Sequence, residues 1–125
     1  MSDPPKTGDV YNADLRIPKG SEPGFSRPVV IFQAPELAHF TSTFVCIPLT
    51  TNTKRLGIPG TCFVGRGDGG LAADSVALCY QLHAVDRTRL RERLGRLDDA
   101  TVPPLADALL NALGIDVESE GSQPG

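Results

Sequence analysis

Thirteen glycines and eleven prolines punctuate this chain of 125 residues, leaving room for short elements joined by tight turns rather than for a bundle of long helices. At 13.3 kDa one hydrophobic core is expected. No apolar run approaches the roughly 20 residues needed to span a bilayer. The opening Met1-Ser2-Asp3-Pro4-Pro5-Lys6 lacks the apolar centre of a secretory signal, so a cytoplasmic protein without membrane contact is expected.

Between the breakers lie β-like segments. Val10–Leu15 reads as a first strand, and the β-branched run Pro28–Gln33 as a central one. Thr43–Leu49 is a third strand, stopped by the polar Thr50–Thr53 run. Thr61–Val64 is a fourth, after the Gly57-Ile58-Pro59-Gly60 turn, and Ser75–Gln81 a fifth. Arg91–Leu97 alternates less cleanly and fits a strand or one helical turn.

One helix is legible. Leu105, Ala108, Leu109, Ala112 and Leu113 recur at the spacing of one buried helical face. Pro103 and Pro104 lack the N–H groups that a first turn does not use, which puts the start near 103–104, and Gly114 supplies the stop. Several short strands followed by one helix predict a mainly β fold, a small strongly bent sheet or barrel with the helix packed on it.

Charge is unevenly distributed. Residues 1–115 hold twelve Lys+Arg and twelve Asp+Glu, and the net −3 is Asp116, Glu118 and Glu120. A neutral body argues against a broad basic nucleic-acid surface but allows a local basic cluster. The expected organisation is a flexible leader at 1–7, a folded domain at 8–115 and a disordered acidic tail at 116–125. Cys46, Cys62 and Cys79 each sit in an apolar stretch and read as buried thiols. A nucleophilic Cys with His39 or His83 has the residue types but no local signature. No paired ligand spacing points to zinc, so neither metal nor cofactor is expected.

Two polar islands carry candidate chemistry. Lys19-Gly20-Ser21-Glu22-Pro23-Gly24-Phe25-Ser26-Arg27-Pro28 gathers donors and a carboxylate between two strands. Thr50-Thr51-Asn52-Thr53-Lys54-Arg55 offers hydroxyls, an amide and two cations at a strand end, all of which can donate to a phosphate. Taken alone, each also fits an ordinary solvated turn. Gly65-Arg66-Gly67-Asp68-Gly69-Gly70 has neither the Lys-Ser/Thr ending of a P-loop nor a strand-to-helix setting, and reads as a flexible connection.

The ordered series Gly8-Asp9-Val10-Tyr11, Asp14-Leu15, Gly20-Ser21-Glu22, Arg27-Pro28, Ile47-Pro48-Leu49-Thr50-Thr51, Asp74-Ser75-Val76, Gln81, Val85-Asp86-Arg87 and Leu94-Gly95-Arg96-Leu97 resembles the MazF/PemK family of toxin endoribonucleases over about residues 7–115. The resemblance implies an SH3-like barrel of about five to seven strands with a C-terminal helix, the CcdB/PemK-like architecture. It also implies a homodimer that binds single-stranded RNA, cleaves it without metal by 2′-OH attack, and is neutralised by a cognate antitoxin. Arg27 and Thr50 match the family's catalytic arginine and threonine, and Glu22 is the candidate base. Lys19, Ser21, Thr51, Asn52, Lys54, Arg55, Tyr80 and Gln81 are the candidate RNA contacts. An arginine is a poor literal acid or base, so Arg27 is expected to act first as fixed positive charge at the phosphate.

The sequence departs from the family pattern where many relatives carry an acid just before the glutamine and a Lys or Arg two positions after it. Here those residues are Tyr80 and His83. An Arg-x-Asp acid–base pair would need Leu78 and Tyr80, so that mechanism is unavailable. Tyr80 is instead a candidate for stacking on a base. The alternatives are a same-fold gyrase poison of the CcdB type, which lacks support because there is no Trp for its Trp-Gly-Ile ending, and an RNA- or peptide-binding barrel that has lost catalysis.

Overall fold

The computed structural model describes residues 3–15 and 26–116, so Lys19, Ser21, Glu22 and the tail beyond Asp116 lie outside the described residues. Strands β1 (Asp9–Asp14), β2 (Ser26–Ile31), β3 (Thr43–Thr50), β4 (Thr61–Val64), β5 (Ser75–Leu78), β6 (His83–Asp86) and β7 (Leu90–Arg96) form one antiparallel sheet, and α1 (Val102–Ala112) follows. The order is β4-β5-β3-β2-β1-β7, with β6 also on β3. The mainly β architecture with a C-terminal helix is therefore as expected from the sequence.

The long strand β3 organises the sheet. Cys46, Ile47 and Pro48 pair with β2, while β6 (Thr43↔Asp86 to Cys46↔His83) and β5 (Leu49↔Ala77, Thr50↔Val76) pair with β3 in tandem. The tandem arrangement requires the chain to step between β5 and β6, which it does in the 3-10 turn Cys79–Gln81. The fifth strand therefore stops at Leu78, short of the expected Gln81. Successive residues of β2 and β3 bury on opposite faces, so both sides of the sheet carry core. Val30, Ile47 and Leu49 join Val10, Val64, Cys79 and Leu105 in one cluster; Val29, Ile31 and Cys46 join Ala13, Phe44 and Val85 in the other.

Arg91–Leu97, ambiguous in the sequence, is strand β7 shifted by one residue. Its pairing with β1 runs Leu90↔Ala13, Arg93↔Tyr11, Gly95↔Val10 and Arg96↔Asp9, so β7 gains one residue on β1 at each of two irregularities. Such bulges break the period of two that sequence reading relies on. α1 packs on β4 and the Cys79–Gln81 turn, beginning at Val102 with Pro103 and Pro104 in its first turn. Gly114 has φ +76°, as a residue just past a helix end requires.

The glycine-rich segment 65–70 is a packed connection, where a flexible one was expected. Gly69 is buried, and the Asp68 carboxylate accepts from the backbone N–H of Asp98 at 2.8 Å and the Thr101 hydroxyl at 2.6 Å, tying the turn to the start of α1. Asp68→Ala removes both acceptors, and a loss of about 1–3 kcal/mol is expected in urea unfolding. An unchanged denaturation midpoint would show that these contacts do not hold the turn. At the other end, residues 5–7 lie against the sheet. Pro5 is buried, and the Thr7 hydroxyl donates to the Gln33 carbonyl at 2.6 Å and accepts from the Gln33 N–H at 3.0 Å.

Candidate active site

β2 starts two residues earlier than its apolar run, and the extension takes Ser26 and Arg27 into the sheet. Arg27 pairs with Ala13 on β1. On the other side of β2, the register Val29↔Pro48 carried on by two residues sets Arg27 across from Thr50. Arg27, Thr50 and Thr51 then line one cleft of ≈ 190 Å³ together with Ser26, Pro28, Leu49 and Ser75. Arg27 and Thr50 are both half-buried.

The hydroxyl of Thr50 accepts the Asn52 N–H at 3.1 Å. That contact occupies an acceptor position and leaves the hydroxyl proton available for an anion. The buried Ser75 closes one wall of the cleft, its hydroxyl donating to the Ala73 carbonyl at 2.9 Å. Sequence reading assigned no site role to Ser26 or Ser75. Ser26 had figured only as a member of the Lys19–Pro28 island and Ser75 only within the family-like Asp74-Ser75-Val76.

The remaining candidates sit on two neighbouring turns. Asn52 caps the 3-10 turn Thr53–Arg55, its side chain accepting the Lys54 N–H at 3.2 Å. Arg55 donates through Nη1 to the Tyr80 hydroxyl at 2.8 Å, linking that turn to Cys79–Gln81. Tyr80 and Gln81 are exposed there, so the ring is held at one end while its face stays accessible. The structure thus groups Arg27, Thr50 and Thr51 in the cleft, and Asn52, Lys54, Arg55, Tyr80 and Gln81 on the turns.

Cys46 and Cys79 are buried core thiols as expected, whereas Cys62 is only half-buried, packed against the core from β4. Register sets Cys46 across from His83, but burial pushes the Cys46 thiol up to about 12, and His83 Nδ1 lies 2.9 Å from the Gln81 carbonyl oxygen. Burial likewise pushes Cys79 up to about 12 and raises Cys62, the latter with help from the Asp68 charge. Burial thus disfavours the thiolate form at all three cysteines, against the setting a nucleophilic cysteine needs. Among the described residues no three His, Cys, Asp or Glu side chains gather as a metal site, and no helix is long and apolar enough to cross a membrane.

The same fold occurs in an endoribonuclease in complex with its cognate antitoxin from a mycobacterial species, with a TM-score of 0.74 and 26% identity over 90% of this chain and 98% of that one. It is also similar to the Mycobacterium tuberculosis toxin MazF-mt6 (TM-score 0.71, 24% identity, 86% and 98% covered). MazF from Deinococcus radiodurans shares the fold as well (TM-score 0.70, 21% identity, 89% and 97% covered). The model of the PemK-like, MazF-like toxins of type II toxin–antitoxin systems matches residues 6–113, from the turn before β1 to the end of α1, and the chain belongs to that family.

Proposed function

We propose that this toxin is an endoribonuclease that cleaves single-stranded RNA by attack of a ribose 2′-OH on the adjacent phosphorus, leaving a 2′,3′-cyclic phosphate and a 5′-OH. The observation that carries this reading is the meeting of Arg27 and Thr50 in one cleft. In-line attack builds negative charge on the non-bridging oxygens. A guanidinium fork and a hydroxyl donor beside that position stabilise the transition state more than the ground state. Glu22 is the proposed collector of the 2′-OH proton. Lys19 and Ser21 join Thr51, Asn52, Lys54 and Arg55 in holding the strand, with Tyr80 stacking on a base and Gln81 reading a base or the backbone.

The antitoxin held by the mycobacterial relative supports a cognate antitoxin protein as partner here. Exposed Phe63 on β4, and Leu113 and Ile115 just beyond α1, support a homodimer.

The test is incubation of the purified protein with mixed-sequence single-stranded RNA in EDTA, followed by sequencing of the ends. Cleavage should persist, and substrates with 2′-deoxyribose at the cut position should survive. Efficient cutting of all-DNA strands, or a requirement for added divalent metal, would overturn the mechanism. Thr50→Val should slow cleavage roughly 10–100-fold, the value of one hydrogen bond to a charged group, with an unchanged thermal melt. Full activity in that variant would remove Thr50 from the mechanism.

A further inference from the structure

Five of the chain's twelve Lys+Arg residues fall between positions 87 and 96, on β7 and the turn before it. Among the described residues β7 ends the strand order and pairs with β1 alone along it. Charge on such an edge discourages pairing with other chains, which accounts for exposed Arg91 beside Asp14 at 3.3 Å. It does not account for the arrangement around Asp9. Arg93 and Arg96 are three positions apart and would face opposite sides of a regular strand, yet the irregularity between Arg93 and Gly95 brings both onto one carboxylate oxygen. Arg93 Nη2 lies 3.2 Å and Arg96 Nη1 3.1 Å from Asp9 Oδ1, while Asp9 Oδ2 accepts the Lys6 N–H at 2.9 Å.

Asp9 is buried, with 8% of its side chain exposed, whereas the two arginine side chains are 50% and 49% exposed. Two cations therefore share one anion, with donors to spare and little orientational freedom left to lose on binding. They border a cavity of ≈ 390 Å³ whose walls include Tyr11, Lys6 and the exposed Asp3, whose carboxylate lies 4.0 Å from the Lys6 ammonium. Burial and the Asp9 charge raise the Tyr11 phenol, which keeps its proton and remains a donor. None of these residues lines the Arg27 cleft.

We propose that the Arg93–Arg96 cavity is a phosphate-binding subsite that holds the backbone of the RNA away from the cut, an inference that rests on the ribonuclease reading above. Arg87 and Arg89 on the turn before β7 and Arg91 on β7 add three cations to the segment that enters the cavity at Arg93, and a polyanion such as an RNA backbone is the ligand that can engage several of them at once.

The test measures anisotropy of a labelled 2′-O-methyl single-stranded RNA 20-mer, which offers no 2′-OH nucleophile, across a KCl series. Arg93→Gln leaves Asp9 its Arg96 and Lys6 partners; the triple variant Arg93→Gln/Arg96→Gln/Asp9→Asn removes the buried charge together with both arginines. Binding should weaken several-fold at low salt, with the slope of log affinity against log salt shallower by about 0.7 for each phosphate no longer neutralised. Arg66→Gln, the same charge change on an exposed turn outside the cavity lining, should leave the slope as it is. An unchanged slope in both cavity variants while wild type binds RNA, or an equal weakening in Arg66→Gln, overturns the subsite. So does stabilisation of wild type by inorganic phosphate, or binding of a poly-Glu peptide, that depends on Arg93 while RNA binding does not. Failure of wild type to bind the RNA at all overturns the ribonuclease reading and the subsite together.

Discussion

Arg27→Lys is expected to lose roughly 10²–10³ in cleavage rate although it keeps the charge. A guanidinium presents two parallel donors to a phosphate and holds them in a plane, whereas an ammonium is a point charge on a mobile stem. Arg27 stands inside β2, opposite Ala13 and across from Thr50, so the fork is delivered by a strand and its aim is set by the sheet. The lysine variant keeps the same backbone pairing, and its melting temperature should match wild type. Initial rates on a fluorogenic RNA at saturating concentration report the change in kcat. A lysine variant within a few-fold of wild type would mean that charge alone suffices.

The largest expected loss of stability lies at a glycine. Gly70 has φ +77°, and a Cβ there would come within 2.0 Å of the Leu94 carbonyl oxygen on β7. Gly95 meets the same turn from the other side, its own Cβ position 2.8 Å from the Gly69 backbone. Neither neighbour is a flexible side chain, so the turn and β7 must separate. Gly70→Ala should cost about 3–4 kcal/mol, combining left-handed strain with overpacking, and lower the melting temperature by roughly 10–20 °C. An alanine variant that melts within about 3 °C of wild type would show that the turn can move away at little cost.

What was legible in the sequence was local. The α1 face Leu105, Ala108, Leu109 and Ala112, with the prolines before it and Gly114 after it, located the helix to within about two residues. The continuous apolar runs of β2 and β3 were equally plain because both faces of those strands are buried. β6 was missed because it is four residues long and only Val85 is buried. The packing of Gly69 and Gly70 was invisible for a different reason: the constraint comes from Leu94 and Gly95, some 25 residues further along. In the candidate site, Arg27 and Thr50 were named from the series of family-like residues. Their meeting depends on the β2–β3 register, which no local pattern encodes. The Asp9, Arg93 and Arg96 cluster joins residues 84 and 87 positions apart through a bulged strand, beyond the reach of periodicity.

The pairing of β1 with β7 has a consequence for how the protein comes into being. The second element to be joined to β1 is the last strand synthesised, and a chain still growing through β6 already carries Arg27 and Thr50 while one side of β1 has no neighbour. Its Asp9 then lacks both arginines, and the core beneath Val10 lacks Leu97 and Leu105. Contacts of such long sequence separation form late and slowly. Completion of the sheet thus waits on its last strand, and β1 gains its second neighbour only when nearly the whole chain has been made.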